Sequence, residues 1–247
     1  MRLAAASKQE APEPPIMRPQ RRQVLVLLDM NGTVLVRSKK RLGRAPDAKL
    51  NDVNYYLREH ASALVDRLLS NVSVVLAFYT SMRESSARPA ITALSGGRDV
   101  ELYEREFNKV DPLGENHWDT MRDLEKIWGT LGKAGAGFDA TNTIVVEDTE
   151  RKMREHPHNV IVVPSFTEDM VGLDDALRPL AGFLEALLAA EGDVRDFLVT
   201  RVFAGESQQR PASAQKKSRK PKRPSKPDRV RSWQERNSSQ HHHHHPE

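Results

Sequence analysis

The chain has 247 residues and a formal net charge of +4, a length that suits one domain of ordinary size with flanking tails. It contains no cysteine, which excludes disulfides, thiolate metal sites and every mechanism with a cysteine nucleophile. Because no apolar stretch approaches the roughly 20 residues that span a bilayer, we expect a soluble protein without a membrane segment.

The predicted elements begin after residues 1–21, a proline-rich stretch of mixed charge that we expect to be a disordered N-terminal arm. Residues 22–203 are predicted to form the folded domain. Within it, four continuous apolar runs are typical of strands that are covered on both faces. These runs are Val24–Leu28, Ser73–Thr80, Thr143–Val146 and Val160–Val163.

Apolar residues at helical spacing lie between and after these runs. The three stripes are Leu64, Val65, Leu68 and Leu69; Leu124, Ile127 and Trp128; and Leu177, Leu180, Leu184, Leu187 and Leu188. Asp174 or Asp175 is the expected cap of the last helix. Strands that alternate with helices predict an α/β fold, a doubly wound parallel sheet with right-handed crossovers.

Polar residues follow the ends of three of the predicted strands. Asp29 follows the first run, Thr80 ends the second and Ser81 follows it, and Glu147 and Asp148 follow the third. Ligands bind at the carboxyl ends of the strands in such sheets. Packing of a core does not require acids and hydroxyls there, so we expect these residues to form a site. The alternative for Asp29 alone is a strand-end cap beside an ordinary Asn-Gly turn.

The order of motifs resembles the haloacid-dehalogenase superfamily of aspartate-nucleophile phosphatases. More narrowly it resembles the FCP1-homology, NLI-interacting-factor-like branch, which contains RNA polymerase II carboxy-terminal-domain phosphatases. The matching segments are "LLDMNGTVL", "NYYLREHASALVDRLLSNVSVVLAFYTSM", "ELYEREF", "RDLEKIW", "NTIVVEDTERKMREHPHNVIVVPSF" and "FLEALLAAEGDVRDFL". They cover residues 22–203, and the resemblance implies a sheet of the haloacid-dehalogenase type.

The resemblance also implies roles for individual residues. Asp29 would be the nucleophile that forms an acyl phosphate, and Thr80, with Ser81 beside it, would bind phosphoryl oxygens. Asp148 would bind Mg²⁺ together with Asp29 and the backbone carbonyl of Asn31, and Glu147 would lie in the outer part of this metal site.

Three positions depart from the family pattern. Glu147 stands where an aspartate is usual. Arg122 stands where the family has a phosphate-clamping lysine, and Lys126, one helical turn later, is the possible substitute. Asn31 replaces the aspartate that shuttles a proton, and loss of general acid–base catalysis costs about 10²–10⁴-fold in rate.

The basic charge of the chain is concentrated at its C-terminal end. Residues 204–247 are predicted to be a disordered tail, with 11 basic and 4 acidic residues from Glu206 onward. Within it, Lys216–Arg231 is typical of a nuclear localisation signal, of a nonspecific nucleic-acid contact or of a solubilising arm. We favour a nuclear location, otherwise a cytoplasmic one. The histidines at 241–245 are either native or the remnant of a tag.

Two functions of different classes follow from these residues. The first is a slow, Mg²⁺-dependent phosphatase that acts on phosphoserine or phosphothreonine in an extended peptide. We expect it to be a monomer. The second is a pseudophosphatase that binds phosphopeptides or serves as a scaffold. Asn31, Arg122 and Glu147 motivate this alternative.

Overall fold

The computed structural model describes residues 22–204, so the predictions for residues 1–21 and for the segment Lys216–Arg231 concern residues outside this range. The strands are β1 (Val24–Asp29), β2 (Leu35–Ser38), β3 (Ala48–Leu50), β4 (Val53–Leu57), β5 (Val74–Tyr79), β6 (Glu101–Tyr103), β7 (Asn108–Val110), β8 (Thr120–Arg122), β9 (Thr143–Glu147) and β10 (Val160–Val162). The α-helices are α1 (Ala61–Leu69), α2 (Glu84–Ser95), α3 (Leu124–Gly129), α4 (Leu177–Ala189) and α5 (Val194–Thr200).

Five parallel strands form the central sheet in the order β10-β9-β1-β5-β6. All six residues of β1 are buried, because helices cover both faces of the sheet. Val24, Val26 and Leu28 pack in a cluster with α1, α2 and α4. Leu25 and Leu27 face the opposite cluster, which includes residues of α3. The predicted α/β fold with a parallel sheet is confirmed.

A second, three-stranded antiparallel sheet lies between β1 and α1 in the chain and has the order β2-β4-β3. Its attachment to the rest of the domain includes Arg58, which directly follows β4 and is 1% exposed. The Arg58 guanidinium donates two hydrogen bonds to the Asp174 carboxylate, at 2.7 and 3.0 Å. It also donates to the backbone carbonyls of Thr33 and Pro164. Arg58 therefore joins segments that are distant in sequence.

The prediction that Asp174 or Asp175 caps the helix after the last strand, which is α4, needs correction. α4 begins at Leu177, and its N-cap residue, Ala176, makes no capping hydrogen bond with its side chain. The Asp174 carboxylate accepts a hydrogen bond from the backbone N–H of Ala176, but its main partner is Arg58. A buried guanidinium needs an acidic partner, which decides the role of this residue.

β7 and β8 form an antiparallel hairpin in which Asn108 lies opposite Arg122. Asp111, just beyond β7, accepts hydrogen bonds from the guanidinium groups of Arg151 and Arg154. These contacts attach the hairpin to the segment that follows β9. Within residues 22–204, no helix is both long enough and apolar enough to cross a membrane.

Candidate active site

The candidate site lies at the carboxyl ends of β1 and β9, the two neighbouring strands at the centre of the sheet. β1 ends at Asp29, β9 ends at Glu147, and Asp148 follows directly. One carboxylate oxygen from each of these residues lies within 4.8 Å of the other two. The parallel register places Leu28 beside Val146, so the chain delivers the three acids to one edge.

Asp29, the candidate nucleophile, is buried, with 3% of its surface exposed. Its Oδ2 accepts a hydrogen bond of 2.7 Å from the Thr33 hydroxyl, and its Oδ1 accepts one of 2.5 Å from Nη2 of Arg122. Burial raises the pKa of the Asp29 carboxyl, while the positive charges of Arg122 and Lys152 oppose this effect. Both carboxylate oxygens are therefore oriented by fixed donors.

Arg122 holds the middle of the site from the end of β8. It is 1% exposed, and its Nε and Nη2 both donate to Oε2 of Glu147, at 3.0 and 2.8 Å. Its Nη1 donates to Oδ1 of Asn108 at 2.9 Å, and its guanidinium carbon lies 4.4 Å from the centre of the Tyr79 ring. With the bond to Asp29, four of the five guanidinium N–H groups have partners among the described residues. The fifth, on Nη1, has no partner among those residues.

Glu147 is fully buried, and it shares the charge of Arg122 with Asp29. Burial, and then the negative charge of Asp29, raise the pKa of Glu147 to about 8, although Arg122 opposes them. The guanidinium of Arg122 therefore compensates the burial of these two acids only in part.

Asp148 is the third acid and is partly exposed. Burial alone would raise the pKa of its carboxyl, but hydrogen bonds, of which that from Ser165 is the strongest, lower it below the usual value. The Ser165 hydroxyl donates to Oδ2 at 2.8 Å, and the Thr149 hydroxyl donates to Oδ1 at 3.2 Å. Asp148 is thus the acid that is most readily ionised.

Gly32 allows Asp148 to approach the turn after β1. Its φ is +87°, a backbone region that glycine favours. A Cβ atom at this position would lie 2.6 Å from Oδ2 of Asp148, which is closer than van der Waals contact allows. The "NG" of the sequence therefore serves a close approach as well as a turn.

The remaining predicted site residues lie in different places. Asn31 is exposed on the turn that begins after Asp29. Thr80 is buried at the end of β5, where its hydroxyl accepts a hydrogen bond from the N–H of Met82. The hydroxyl of Ser81 lies 3.1 Å from that of Thr120 on β8.

Lys126 does not join the acidic cluster. Its side chain is exposed, and its ammonium group donates to the backbone carbonyl of Glu106 and lies over the Phe107 ring. The structure brings Arg122 to Asp29 instead, because Arg122 belongs to β8 whereas Lys126 lies in the following helix α3.

The structure adds residues to which we assigned no role from the sequence. Thr33 and Ser165 donate to the acids, Asn108 accepts from Arg122, and Lys152 lowers the pKa of both Asp29 and Glu147. Thr33 lies within the recognised "DMNGT" motif and could have been included. Lys152 and Ser165 also lie within a matching segment, "NTIVVEDTERKMREHPHNVIVVPSF". Asn108 reaches the site through the pairing of β7 with β8, for which the sequence contains no local signal.

The donor set fits a hard divalent cation. The clustered ligands are all carboxylate oxygens, which Mg²⁺ prefers over nitrogen or sulfur. Glu147 Oε2 is already occupied by two N–H groups of Arg122. Asp29 accepts one hydrogen bond on each oxygen, and Asp148 is partly exposed, so these two residues fit direct contact with a cation.

The strand order β10-β9-β1-β5-β6, with acids at the ends of β1 and β9, defines a domain of the haloacid-dehalogenase type. A sequence model of the NLI interacting factor-like phosphatases matches residues 24–195. The chain belongs to this family.

Individual relatives are more distant. An uncharacterized FCP1 homology domain-containing protein of Schizosaccharomyces pombe is 27% identical over 156 residues. The alignment covers 58% of this chain and 61% of that protein, so the chain spans less than two thirds of its relative's length.

Solved structures align at low similarity. Fcp1, an essential RNA polymerase II CTD phosphatase, gives a TM-score of 0.42 at 14% identity, over 70% of this chain and 56% of that one. A putative 3-deoxy-D-manno-octulosonate 8-phosphate phosphatase from Vibrio cholerae gives 0.36 at 15% identity, over 57% and 63%. The strand order and the family match, rather than these alignments, identify the fold.

Proposed function

We propose that this chain is a slow, Mg²⁺-dependent phosphatase that uses Asp29 as its nucleophile on phosphoserine or phosphothreonine in an extended protein segment. One observation supports this most: the Asp29 carboxylate lies buried at the end of the central strand β1, with its oxygens held by Thr33 and Arg122. A fixed and desolvated carboxylate is suited to attack a phosphorus atom.

In this mechanism, an Asp29 oxygen forms a bond to phosphorus while the bond to the serine or threonine oxygen breaks. Water then hydrolyses the acyl phosphate and regenerates the carboxylate. Arg122 offers its remaining Nη1 hydrogen to a phosphoryl oxygen and offsets negative charge on the transferring group. Mg²⁺, when bound beside Asp29 and Asp148, supplies further positive charge against the phosphoryl oxygens.

Asn31 limits the rate of this reaction. Its amide can donate a hydrogen bond to the leaving oxygen but cannot transfer a proton to it. The leaving oxygen must therefore take its proton from water, and the rate falls by about 10²–10⁴ relative to a site with a carboxylic acid there. This loss accounts for the slow turnover in the proposal.

The test compares Mg²⁺-dependent hydrolysis of an aryl phosphate by the wild type and by the Asn31→Asp and Asp29→Asn variants. We expect weak activity in the wild type, faster hydrolysis by Asn31→Asp and none by Asp29→Asn. Aryl phosphates have good leaving groups, which need little help from a general acid. The increase in rate from Asn31→Asp should therefore be larger with a phosphoserine peptide. Silence of both the wild type and Asn31→Asp, on either substrate, would refute the proposal.

A second candidate function, a phosphopeptide-binding pseudophosphatase, is favoured by the ion pair between Arg122 and Asp29. This contact occupies one oxygen of the candidate nucleophile, and Asn31 removes the proton shuttle. A binding domain should prefer a phosphorylated peptide to its unphosphorylated counterpart. Equal affinity for both, measured by titration, would argue against this function.

We also propose that Lys216–Arg231 directs the protein to the nucleus. The support is compositional, since basic low-complexity segments serve this purpose. Deletion of the segment should then redistribute a fluorescent fusion of the chain to the cytoplasm. An unchanged nuclear signal would contradict the proposal, and altered binding to nucleic acid would instead support a contact with the phosphate backbone.

A further inference from the structure

A loop between β2 and β3, residues 39–44, concentrates positive charge. It contains four basic residues in six positions and no acid, and we call it the basic loop. Residues 22–204 as a whole contain 23 basic and 28 acidic residues, a net charge of −5. The basic loop is therefore a cationic patch on an acidic domain.

Two of the four charges of the basic loop have no acidic partner among the described residues. Lys39 lies 3.4 Å from Asp52, and Arg44 forms an ion pair with Asp47 at 2.8 Å. Lys40 and Arg41 are exposed and make no such contact within residues 22–204. These two side chains can bind an external anion without breaking an existing ion pair.

The basic loop is fixed to the domain on the side of the site. The N–H of Leu42 donates to the hydroxyl of Tyr56 at 2.9 Å. Tyr56 is buried in a cluster with Phe166, whose N–H donates to the carbonyl of Gly32 at 2.7 Å. The residue before Phe166 is Ser165, the donor to Asp148. A short series of contacts thus connects the loop with the turn that surrounds Asp29.

Along the chain, β2 separates the turn that follows Asp29 from the basic loop. The strand has four residues, which at about 3.3 Å per residue span about 13 Å. A bound peptide in an extended conformation advances by a similar amount per residue. A residue near the basic loop would therefore lie about four positions from the residue at Asp29.

We propose that the basic loop binds a second anionic group on the substrate, about four residues from the phosphorylated side chain. This inference rests on the proposed function, because it assumes that a phosphorylated segment occupies the site. Exposed lysine and arginine side chains bind phosphate and carboxylate groups through charge-assisted hydrogen bonds. The substrate class is then a protein segment with two anionic groups rather than one.

The test uses synthetic peptides that contain one phosphoserine and differ at a single other position. One peptide has a neutral serine four residues away, another a second phosphoserine, and a third a glutamate. Each peptide is made in two versions, with the variable residue on the N-terminal or on the C-terminal side of the phosphoserine. A further peptide places the second anionic group one residue from the phosphoserine. The phosphoserine and glutamate arms distinguish a phosphate from a carboxylate as the preferred anion.

Binding is measured by fluorescence anisotropy on Asp29→Asn protein, so that no substrate is consumed. The loop variant combines Lys40→Ser with Arg41→Ser. Its control combines Arg67→Ser with Arg98→Ser, which also removes two charges, near the C-terminal ends of α1 and α2. Unlike the loop residues, these two arginines form ion pairs, with Glu185 and Asp66.

We expect at least one doubly anionic peptide, at the four-residue spacing, to bind about fivefold more tightly than the neutral one, as two exposed charge pairs allow. The loop variant should lose this preference, and the control variant should keep it. Added salt should reduce it. Equal affinity for all peptides, or a preference that survives in the loop variant, would overturn the inference.

Two further measurements separate the possible failures. The first is competition by an RNA oligonucleotide. If the RNA displaces the labelled doubly anionic peptide with an affinity equal to that of the unlabelled peptide, the assignment to a protein segment is overturned. Hydrolysis of the aryl phosphate is measured on protein with Asp29 intact. Absence of hydrolysis would refute the proposed catalysis. The preference for doubly anionic peptides in the binding assay tests the role of the basic loop separately.

Discussion

The buried ion pair between Arg58, which follows β4, and Asp174, which precedes α4, can be tested for its contribution to stability. Asp174→Ala removes the partner of a guanidinium that is almost fully enclosed, since the two side chains are 0% and 3% exposed. Removing one partner of such a pair costs about 3–5 kcal/mol, because it leaves an uncompensated buried charge. That is a large part of the roughly 5–15 kcal/mol by which a domain is stable.

Urea unfolding followed by circular dichroism measures the effect. With a slope of about 2 kcal/mol per molar urea, the midpoint should fall by about 2 M. Lys39→Ala is the control, because it breaks an ion pair whose side chains are 76% and 70% exposed. Exposed pairs contribute about 0–1 kcal/mol, or less than about 0.5 M. If Asp174→Ala lowered the midpoint no more than Lys39→Ala does, the conclusion that the buried Arg58–Asp174 pair is a major contribution to stability would be wrong.

Three more predictions concern the site and the hairpin. Gly32→Ala should lower the free energy of unfolding by about 1–2 kcal/mol, because a residue with a Cβ atom is strained in the left-handed backbone region. It should also weaken Mg²⁺ binding, measured by calorimetry, because the added Cβ displaces Asp148. Asn108→Ala should raise the KM for an aryl phosphate more than it lowers kcat, because Arg122 loses the acceptor that orients its Nη1; equal KM values would contradict this role. Hydrogen bonds from arginine lower the pKa of Asp111 to about 2. The contribution of Asp111 to stability is therefore present above pH 3.8 and is lost as the pH falls toward 2. Stability of Asp111→Asn should lack this pH-dependent contribution, and identical acid-unfolding profiles of the variant and the wild type would contradict the prediction.

The central sheet could be predicted from the sequence because its strands are continuous apolar runs. β1 and β9 are buried throughout, so every position in them is hydrophobic except Thr143 and the acid at the end of each strand. The small sheet was not predicted. All three residues of β3 are partly or fully exposed, and its pattern does not differ from that of a loop. Its strands exist because they pair with β4, which local sequence does not reveal.

The site shows the same division. Asp29, Glu147 and Asp148 could be placed together because parallel strands bring their carboxyl ends to one edge. The choice between Arg122 and Lys126 could not be made from spacing alone. It depends on where β8 ends and α3 begins, and boundaries are the least certain part of a sequence-based prediction. Asn108 is paired with Arg122 across a hairpin, and nothing in the local sequence around either residue predicts this pairing.

The Asn31–Gly32 turn has a consequence for the chemical lifetime of the site. An asparagine followed by glycine loses ammonia when the glycine nitrogen attacks the side-chain amide, and hydrolysis of the resulting ring leaves aspartate or isoaspartate. In the folded protein the Gly32 N–H donates to the carbonyl of Leu35 at 2.8 Å, which holds this nitrogen in the turn. Folding therefore protects Asn31, whereas unfolded or aged material would convert part of it into the very aspartate that the family uses. Intact-protein and peptide mass spectrometry should thus accompany every activity measurement, because a small deamidated fraction would mimic the Asn31→Asp variant.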